Sequence, residues 1–231
     1  MPRPAAHWLA NLPPQRLLGE FSMWSADLLD LSGELKRIAA HADLLHLDVA
    51  DGHFAPALLF FPDLVARLRD ATAIPLHVHL MATDAILLAQ VEQFADAGAD
   101  LISIHAENAA VADQALAAIA ARGLAAGMVL KLETPVAAAA PYLDRLDFLT
   151  LLGTAIGVKG QGLSPLATGR LGEARGLIAA SGRRIVLAAD GGIRDNTVPL
   201  LRAAGAETVV LGSLAFGAPD LEARMSWLHA L

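Results

Sequence analysis

Short apolar runs alternate with longer amphipathic stretches along almost the whole chain. The short runs have the length and composition of buried strands. They predict strands over residues 17–23, 44–49, 74–79, 101–105, 126–130, 148–152, 185–189 and 208–211. The stretches between them have helical spacing and predict helices over residues 27–40, 61–69, 84–97, 111–122, 136–143, 166–180, 196–204 and from 220 onward. Asp27 is expected to cap the first of these helices.

Strands that alternate with helices form a parallel sheet covered by helices. Eight such units in 231 residues favour closure over an open sheet. The predicted fold is therefore α/β, a single-domain (β/α)8 TIM barrel. Residues 1–16, with Pro13 and Pro14, carry no strong pattern and are expected to be an N-terminal extension, whereas residues 17–231 form the barrel.

Composition excludes several classes of protein. The formal charge of −7 and the absence of a basic stripe argue against nucleic acid as a partner. Hydrophobic residues make up 55% of the chain, but no apolar run reaches the roughly 18 residues needed to cross a bilayer. The start of the chain is too interrupted for a signal peptide, so we expect a soluble cytoplasmic protein. With no cysteine, any metal ion must be held by histidines and carboxylates.

The most distinctive stretch runs from His46 to Phe54, H-L-D-V-A-D-G-H-F. Because successive side chains of a strand alternate between its two faces, His46 and Asp48 point the same way. Two inward polar groups on a buried strand are costly unless they are paired or ligate an ion. Taken alone, the pair is also compatible with a His–Asp hydrogen bond that closes one end of the barrel.

Other polar residues fall at equivalent strand ends, where the active sites of such barrels lie. They are Ser22, His79, His105 and Asp190. His46, Asp48, His79 and Asp190 together make a two-histidine, two-aspartate set. Zn²⁺, Mn²⁺, Fe²⁺ and Co²⁺ accept mixed ligands of this kind, so the pattern predicts a metal site.

Glycine pairs follow the last two strands. Gly191-Gly192 and Gly212-Ser213 stand where barrels commonly bind phosphate through backbone N–H groups. They are also ordinary turn residues, and each pair alone is weak support for a phosphate site.

Four segments carry a family resemblance: F-S-M-W-S-A-D (21–27), H-L-D-V-A-D-G-H-F (46–54), H-V-H-L-M (77–81) and D-G-G (190–192). Their order and sequence resemble the ribulose-phosphate 3-epimerase family from about residue 20 to residue 218. The motif at 46–54 is highly specific, whereas the glycine pairs are not. The resemblance implies inversion at C3 of a ketose phosphate through an enediolate.

The resemblance also implies roles for individual residues. His46, Asp48, His79 and Asp190 match the ligands of one divalent metal ion per subunit, Zn²⁺, Fe²⁺, Mn²⁺ or Co²⁺. Asp48 and Asp190 match the two acid/base groups on opposite faces of the substrate. The remaining matches are to substrate-binding positions: Ser22 and Met81 in the pocket wall, Gly157 and Gly160 in the loop after strand 6, and Gly191, Gly192, Gly212 and Ser213 around the phosphate. A homo-oligomer with a small sugar phosphate as its partner is expected.

The chain departs from the family pattern in the walls of the expected pocket and in the loop after strand 6. Ala50 replaces a methionine, Leu152-Gly153 a Met-Thr pair, Lys159 a glycine and Phe21 a proline. Losing a methionine is expected to reshape the pocket. The expected substrate is ribulose 5-phosphate/xylulose 5-phosphate or a related sugar phosphate, and the departures bear on which of these it is. The alternatives are a hexulose phosphate, a carboxylated or unphosphorylated ketose, or a non-catalytic phosphosugar-binding barrel.

Some residues keep open interpretations. Lys159 either binds a carboxylate or phosphate or is a solvated loop lysine. His53 and His77 have no assigned role. His105 lies at a strand end, and we expect it to be a hydrogen-bonded core histidine.

Overall fold

All eight predicted strands are present in the computed structural model, which describes residues 1–231. The strands are β1 Leu18–Ser22, β2 Leu44–Ala50, β3 Leu76–Met81, β4 Leu101–His105, β5 Ala125–Leu130, β6 Phe148–Leu152, β7 Val186–Asp190 and β8 Thr208–Leu211. Each pairs in parallel with its sequence neighbours, and β8 pairs with β1, so the barrel is closed. The predicted (β/α)8 barrel is confirmed.

Helices follow the strands and cover the outside of the barrel. They are α1 Leu31–Ile38, α2 Pro62–Ala71, α3 Asp84–Ala97, α4 Ala112–Ala121, α5 Ala167–Ser181, α6 Val198–Ala204, α7 Ser213–Phe216 and α8 Leu221–His229. The predicted helix over 136–143 is instead a 3-10 helix, Val136–Arg145, with Pro141 inside it. Proline lacks the N–H that a regular α-helix needs at an interior position. None of the helices has the length and apolar character needed to span a membrane.

The first helix begins later than predicted. Asp27 does not cap it, because the Asp27 side chain accepts from the N–H of Leu29 in a local turn. The cap is Asp30, whose carboxylate accepts from the N–H of Gly33 at 2.9 Å. Both aspartates satisfy the chemistry of a cap, and the chain path between them decides which one acts.

The two ends of the barrel differ in character. At the N-terminal ends of the strands, a small apolar cluster is covered by three residues of the segment 1–16: Trp8, Leu9 and Leu12. The cluster consists of Leu44, Leu101, Phe148 and Val186. This end is sealed by apolar packing, which leaves the C-terminal ends of the strands as the open end of the barrel.

Candidate functional site

Four predicted side chains converge at the C-terminal end of the barrel. The register of β2 and β3 sets Asp48 beside His79, and β7 contributes Asp190 as its last residue. His46 Nε2 and His79 Nδ1 lie 3.4 Å apart. Asp48 Oδ1 lies 3.4 Å from His46 Nε2 and 3.3 Å from His79 Nδ1. Asp190 Oδ2 lies 3.9 Å from His46 Nε2 and 3.8 Å from His79 Nδ1.

These separations suit one divalent ion. Ligand bonds of roughly 2.0–2.2 Å at tetrahedral angles put the ligand atoms about 3.3–3.6 Å apart. The observed distances between the four groups start at 3.3 Å, and one ligand atom from each lies within 4.8 Å of the others. The chemistry of the donors, two imidazoles and two carboxylates, also fits. The predicted ligand set therefore fits a metal ion both in geometry and in donor type.

The electrostatics of the set also favour a cation. Burial by itself disfavours protonated His46, but the carboxylates of Asp48, Glu20 and Asp190 outweigh burial and raise the pKa of His46 well above its ordinary value. Burial would raise the pKa of Asp48, but His46 and His79 hold that pKa far below its usual range. Burial raises the pKa of Asp190. The charge of Asp48 raises it further, whereas His46 lowers it. The carboxylates of Glu20, Asp48 and Asp190 therefore favour a positive charge between them, which a proton on His46 or a bound metal ion can supply.

His79 is hydrogen-bonded to His105 and, through it, linked to the carboxylate of Glu107. His79 Nε2 lies 2.8 Å from His105 Nε2, and His105 Nδ1 lies 2.9 Å from a carboxylate oxygen of Glu107. Burial lowers the pKa of His105 to about 4, so His105 is neutral. The only consistent assignment has His105 donating from Nδ1 to Glu107 and accepting at Nε2 from His79. The His79 proton that faces His105 thus lies on Nε2, while Nδ1 faces the candidate metal site, and His105 is a hydrogen-bonded buried histidine, as predicted.

The candidate site opens into a cavity of about 330 Å³. Lys159, Asp48, His79 and Asp190 line it, as do all eight residues matched to substrate-binding positions: Ser22, Met81, Gly157, Gly160, Gly191, Gly192, Gly212 and Ser213. His46 lies beneath the cavity floor, fully buried. Of the two departures in the wall, Leu152 lines the cavity, whereas Ala50 packs with Ala55 and Met81 in an apolar cluster beside it.

Several lining residues were not predicted. Trp24, Ser25, Thr154 and Arg194 face the same cavity. A Cβ atom on Gly212 would come 2.8 Å from Ser25 Oγ, which places that hydroxyl against the backbone of Gly212, directly after β8. Arg194 lies two residues after Gly192, and its cationic side chain was a signal that the sequence offered.

The backbone at Gly192 leaves no room for a side chain. Its φ is +72°, in the left-handed region, and a Cβ atom there would lie 2.7 Å from Leu163 Cα. Gly176, in the middle of α5, meets nothing within 4 Å and offers a matched control.

We expect Gly192→Ala to lower the free energy of unfolding by about 1–3 kcal/mol, because it combines strained backbone with a clash against backbone atoms. Gly176→Ala should instead raise that free energy by up to about 1 kcal/mol, since alanine is the better helix former. Urea unfolding of both variants measures the difference. Equal free energies of unfolding for Gly192→Ala and Gly176→Ala would contradict the expected strain at position 192.

The loop after β6 reaches back to the loop after β1. Lys159 Nζ donates to the carbonyl of Trp24 at 2.5 Å and lies 4.6 Å from the centre of its indole ring. Partial burial lowers the pKa of Lys159, and the Asp48 carboxylate opposes that shift. The Lys159 ammonium is thus within electrostatic reach of Asp48, at the border of the cavity.

Two carboxylates, one half-buried and one fully buried, were missed by sequence reasoning. Glu107 backs His105, as described above, and Glu20 on β1 lies against His46 and His77. Burial would raise the pKa of Glu20, but His77 and His46 outweigh it and hold that pKa far below its ordinary value. The available signal was a glutamate at an inward position of an apolar strand. His77 accordingly has a partner inside the barrel, whereas His53 is exposed in the loop after β2.

Comparison with known proteins places the chain in a family. The model of the ribulose-phosphate 3 epimerase family matches residues 20–216. The ribulose-phosphate 3-epimerase of Bacillus subtilis is 34% identical over 207 residues, which cover 89% of this chain and 94% of that protein. The Escherichia coli enzyme of the same name is 36% identical over 201 residues, covering 86% and 88%. Ribulose-phosphate 3-epimerase 2 of Cupriavidus necator is 37% identical over 206 residues, covering 87% and 85%.

Solved structures of other enzymes share the fold. A crystal structure of 3-hexulose-6-phosphate synthase superposes with a TM-score of 0.63 at 19% identity, covering 93% of this chain and 98% of that one. Orotidine 5'-phosphate decarboxylase from Pyrococcus horikoshii gives a TM-score of 0.64 at 13% identity, covering 91% and 97%. At such identities these likenesses bear on the fold alone. The family match and the relatives identify the chain more closely: it belongs to the ribulose-phosphate 3-epimerase family of carbohydrate isomerases.

Proposed function

We propose that this protein is a divalent-metal-dependent ketose-phosphate 3-epimerase that inverts C3 through an enediolate, with Asp48 and Asp190 as its acid and base. One observation carries the proposal: two carboxylates and two imidazoles meet at metal-ligand separations on the floor of a substrate-sized cavity. The names of the relatives support the reaction, and ribulose 5-phosphate/xylulose 5-phosphate is the first substrate pair to test.

The reaction requires two carboxylates rather than one. A base removes the C3 proton from one face of the substrate, and an acid returns a proton to the other face, with the roles exchanged in the reverse direction. Asp48 and Asp190 come from β2 and β7, which do not neighbour each other in the barrel, so they can approach a substrate from different sides. A bound Zn²⁺, Fe²⁺, Mn²⁺ or Co²⁺ would supply positive charge that stabilises the developing enediolate.

Ser22 helps to orient the first of these groups. Its hydroxyl donates to Asp48 Oδ2 at 3.0 Å, while Asp48 Oδ1 faces the two histidines. This bond limits rotation of the carboxylate, so that one oxygen is directed at the ligand set. An oriented base is a condition for efficient proton transfer.

The far end of the cavity is suited to a phosphate group. Gly191 and Gly192, both at positive φ, let the backbone approach a ligand closely, and Gly212 and Ser213 line the same end of the barrel. Backbone N–H groups at such turns bind oxyanions. Arg194 adds a cation to this wall.

A panel of ketose phosphates in deuterium oxide tests the proposal. An active substrate should incorporate deuterium at C3 and yield the C3 epimer, and the purified protein should hold one divalent ion per subunit. Incorporation with a hexulose phosphate alone would reassign the substrate within the same reaction class. A protein that binds phosphosugars but exchanges no C3 proton would be a binding barrel, and the proposal would be wrong. Sedimentation equilibrium would test the expected homo-oligomer.

Lys159 is proposed to contact an anionic group of the substrate when the loop after β6 closes. We expect Lys159→Met to lower kcat/KM on the best substrate by about ten- to hundredfold, because a charge-assisted contact is worth roughly 1.5–3 kcal/mol. Metal content should stay at the wild-type level, since Lys159 is not in the ligand set. Steady-state kinetics and metal analysis measure the two effects.

Lys36→Met provides the matched control, because Lys36 is exposed on α1, outside the residues that line the cavity. It should leave kcat/KM unchanged. Equal kcat/KM for Lys159→Met and the wild type would reduce Lys159 to a solvated loop residue.

A further inference from the structure

The interior of the barrel directly below the candidate metal site is polar. Glu20 lies there on β1, two residues before Ser22, with no exposed surface. Its Oε2 lies 3.0 Å from His46 Nδ1 and 2.6 Å from His77 Nδ1. Its Oε1 accepts from the Thr208 hydroxyl at 3.2 Å. A carboxylate in such a place is tolerated only because donors from three other strands satisfy it.

The hydrogen-bond pattern determines where the protons lie. His77 Nε2 is 2.7 Å from Ser103 Oγ, which can donate to it, so His77 Nδ1 is free to carry a proton and donate to Glu20. His46 Nε2 faces Asp48 and His79 in the ligand set. A metal ion bound at Nε2 would therefore leave the His46 proton on Nδ1, which donates to Glu20.

Glu20, His46 and His77 could in principle hold a second cation, since their ligand atoms lie close together. The separations of 2.6 and 3.0 Å between the carboxylate and the two imidazoles are hydrogen-bond lengths. Atoms that share one ion at about 2.0–2.2 Å lie further apart, at roughly 3.3 Å or more. The group is a hydrogen-bonded support and not a second metal site.

We propose that Glu20 is a positioning residue, which holds His46 in the tautomer and ring orientation that direct Nε2 into the candidate metal site. This inference rests on the proposed metal-dependent function. His77 and Thr208 hold the Glu20 carboxylate in turn, because each donates to one of its oxygens. Carboxylates that accept from a ligating histidine typically change metal affinity by 10–100-fold when they are removed.

The two histidine ligands are supported differently. His46 donates directly to a carboxylate, whereas His79 reaches Glu107 only through neutral His105. The structure thus makes Glu20 the one carboxylate, outside the ligand set itself, that bonds directly to a candidate ligand histidine. Its removal should affect the metal site more than the removal of a polar group one step further away.

Glu20→Leu and Glu20→Gln test the proposal on the full chain. Leucine removes the acceptor altogether, whereas glutamine keeps an oxygen that can accept but removes the charge. We expect Zn²⁺ affinity, measured by competition with a chromophoric chelator, to fall 10–100-fold in Glu20→Leu and by an intermediate factor in Glu20→Gln. The visible absorption of the Co²⁺-loaded protein should change in the same order, because it reports ligand geometry.

Thr208→Val is the matched control. It removes the contact to Glu20 Oε1 but leaves the contact between Glu20 and His46 intact, so Zn²⁺ affinity should fall by less than the roughly tenfold minimum expected for the loss of Glu20 itself. Thermal unfolding of the metal-free proteins separates folding from binding. If Glu20→Leu does not fold, Glu20→Gln decides, because it preserves shape.

The outcomes separate this inference from the function on which it rests. Wild-type affinity and an unchanged Co²⁺ spectrum in folded Glu20→Gln and Glu20→Leu would overturn the positioning role and leave the proposed function intact. A wild-type protein that binds no Zn²⁺ or Co²⁺ at this site would overturn the metal-dependent function and the inference together.

Discussion

Asp48→Asn should lower epimerase turnover by roughly 10²–10⁴-fold, the usual contribution of a positioned acid or base. The asparagine amide keeps the size of the carboxylate and can still accept from Ser22, but it cannot take the C3 proton. Because Asp48 is also in the candidate ligand set, the assay should be run with metal at saturation. Steady-state epimerisation and loss of C3 deuterium exchange are the two measurements.

Asp113→Asn is a suitable control, since Asp113 is an exposed carboxylate at the start of α4 that pairs with Arg145 at 2.5 Å. It should retain wild-type turnover. If metal-saturated Asp48→Asn kept more than a few per cent of turnover, Asp48 would be a ligand alone and the base would lie elsewhere.

His46→Ala should lower bound metal and turnover together, by about two orders of magnitude or more, while the barrel stays folded. His46 is fully buried below the cavity and contributes one of four candidate ligand atoms. Its loss also leaves the Glu20 carboxylate with one donor fewer in a buried position, so a lower free energy of unfolding is expected as well. Metal analysis, kinetics and circular dichroism follow the three quantities.

His53→Ala is the matched histidine substitution, because His53 is exposed in the loop after β2. It should keep metal and activity. Asp190→Ala should behave like His46→Ala in metal content, because Asp190 supplies a ligand atom from β7. Full activity of the wild type after exhaustive chelation would exclude the metal-dependent mechanism for both positions.

Leu152 can contact a bound substrate directly, whereas Ala50 lies outside the cavity wall. Ala50 packs beside the cavity in an apolar cluster with Ala55 and Met81, and Phe54 and Ile156 pack against that cluster. Leu152 and Ile156 line the cavity itself. Leu152, Ile156 and Lys159 are therefore the residues to vary if ribulose 5-phosphate proves a poor substrate.

Much of this protein could be predicted from local pattern. Apolar runs of strand length alternating with amphipathic stretches determine the eight units, and parallel strands with covering helices close at this number. Strand parity directs His46 and Asp48 inward, and equivalent strand ends bring His79 and Asp190 to the same end of the barrel. These placements could be predicted from the sequence because side-chain direction in a strand depends only on residue spacing.

Other features depended on chain path. Either Asp27 or Asp30 could have capped the first helix, and the backbone path between them decided for Asp30. The short helix α7 was not among the predicted helices. Trp8 and its neighbours looked patternless, because the surface they cover is assembled from four separate strands.

The support beneath the candidate metal site was decided by tertiary structure alone. Glu20 meets His77 across 57 residues of sequence and Thr208 across 188, and only closure of β8 onto β1 brings the last pair together. A single glutamate in an apolar strand carries no sign of its partners. Residue types and spacing thus determined which side chains face inward, whereas barrel closure decided which of them donate, accept and support one another.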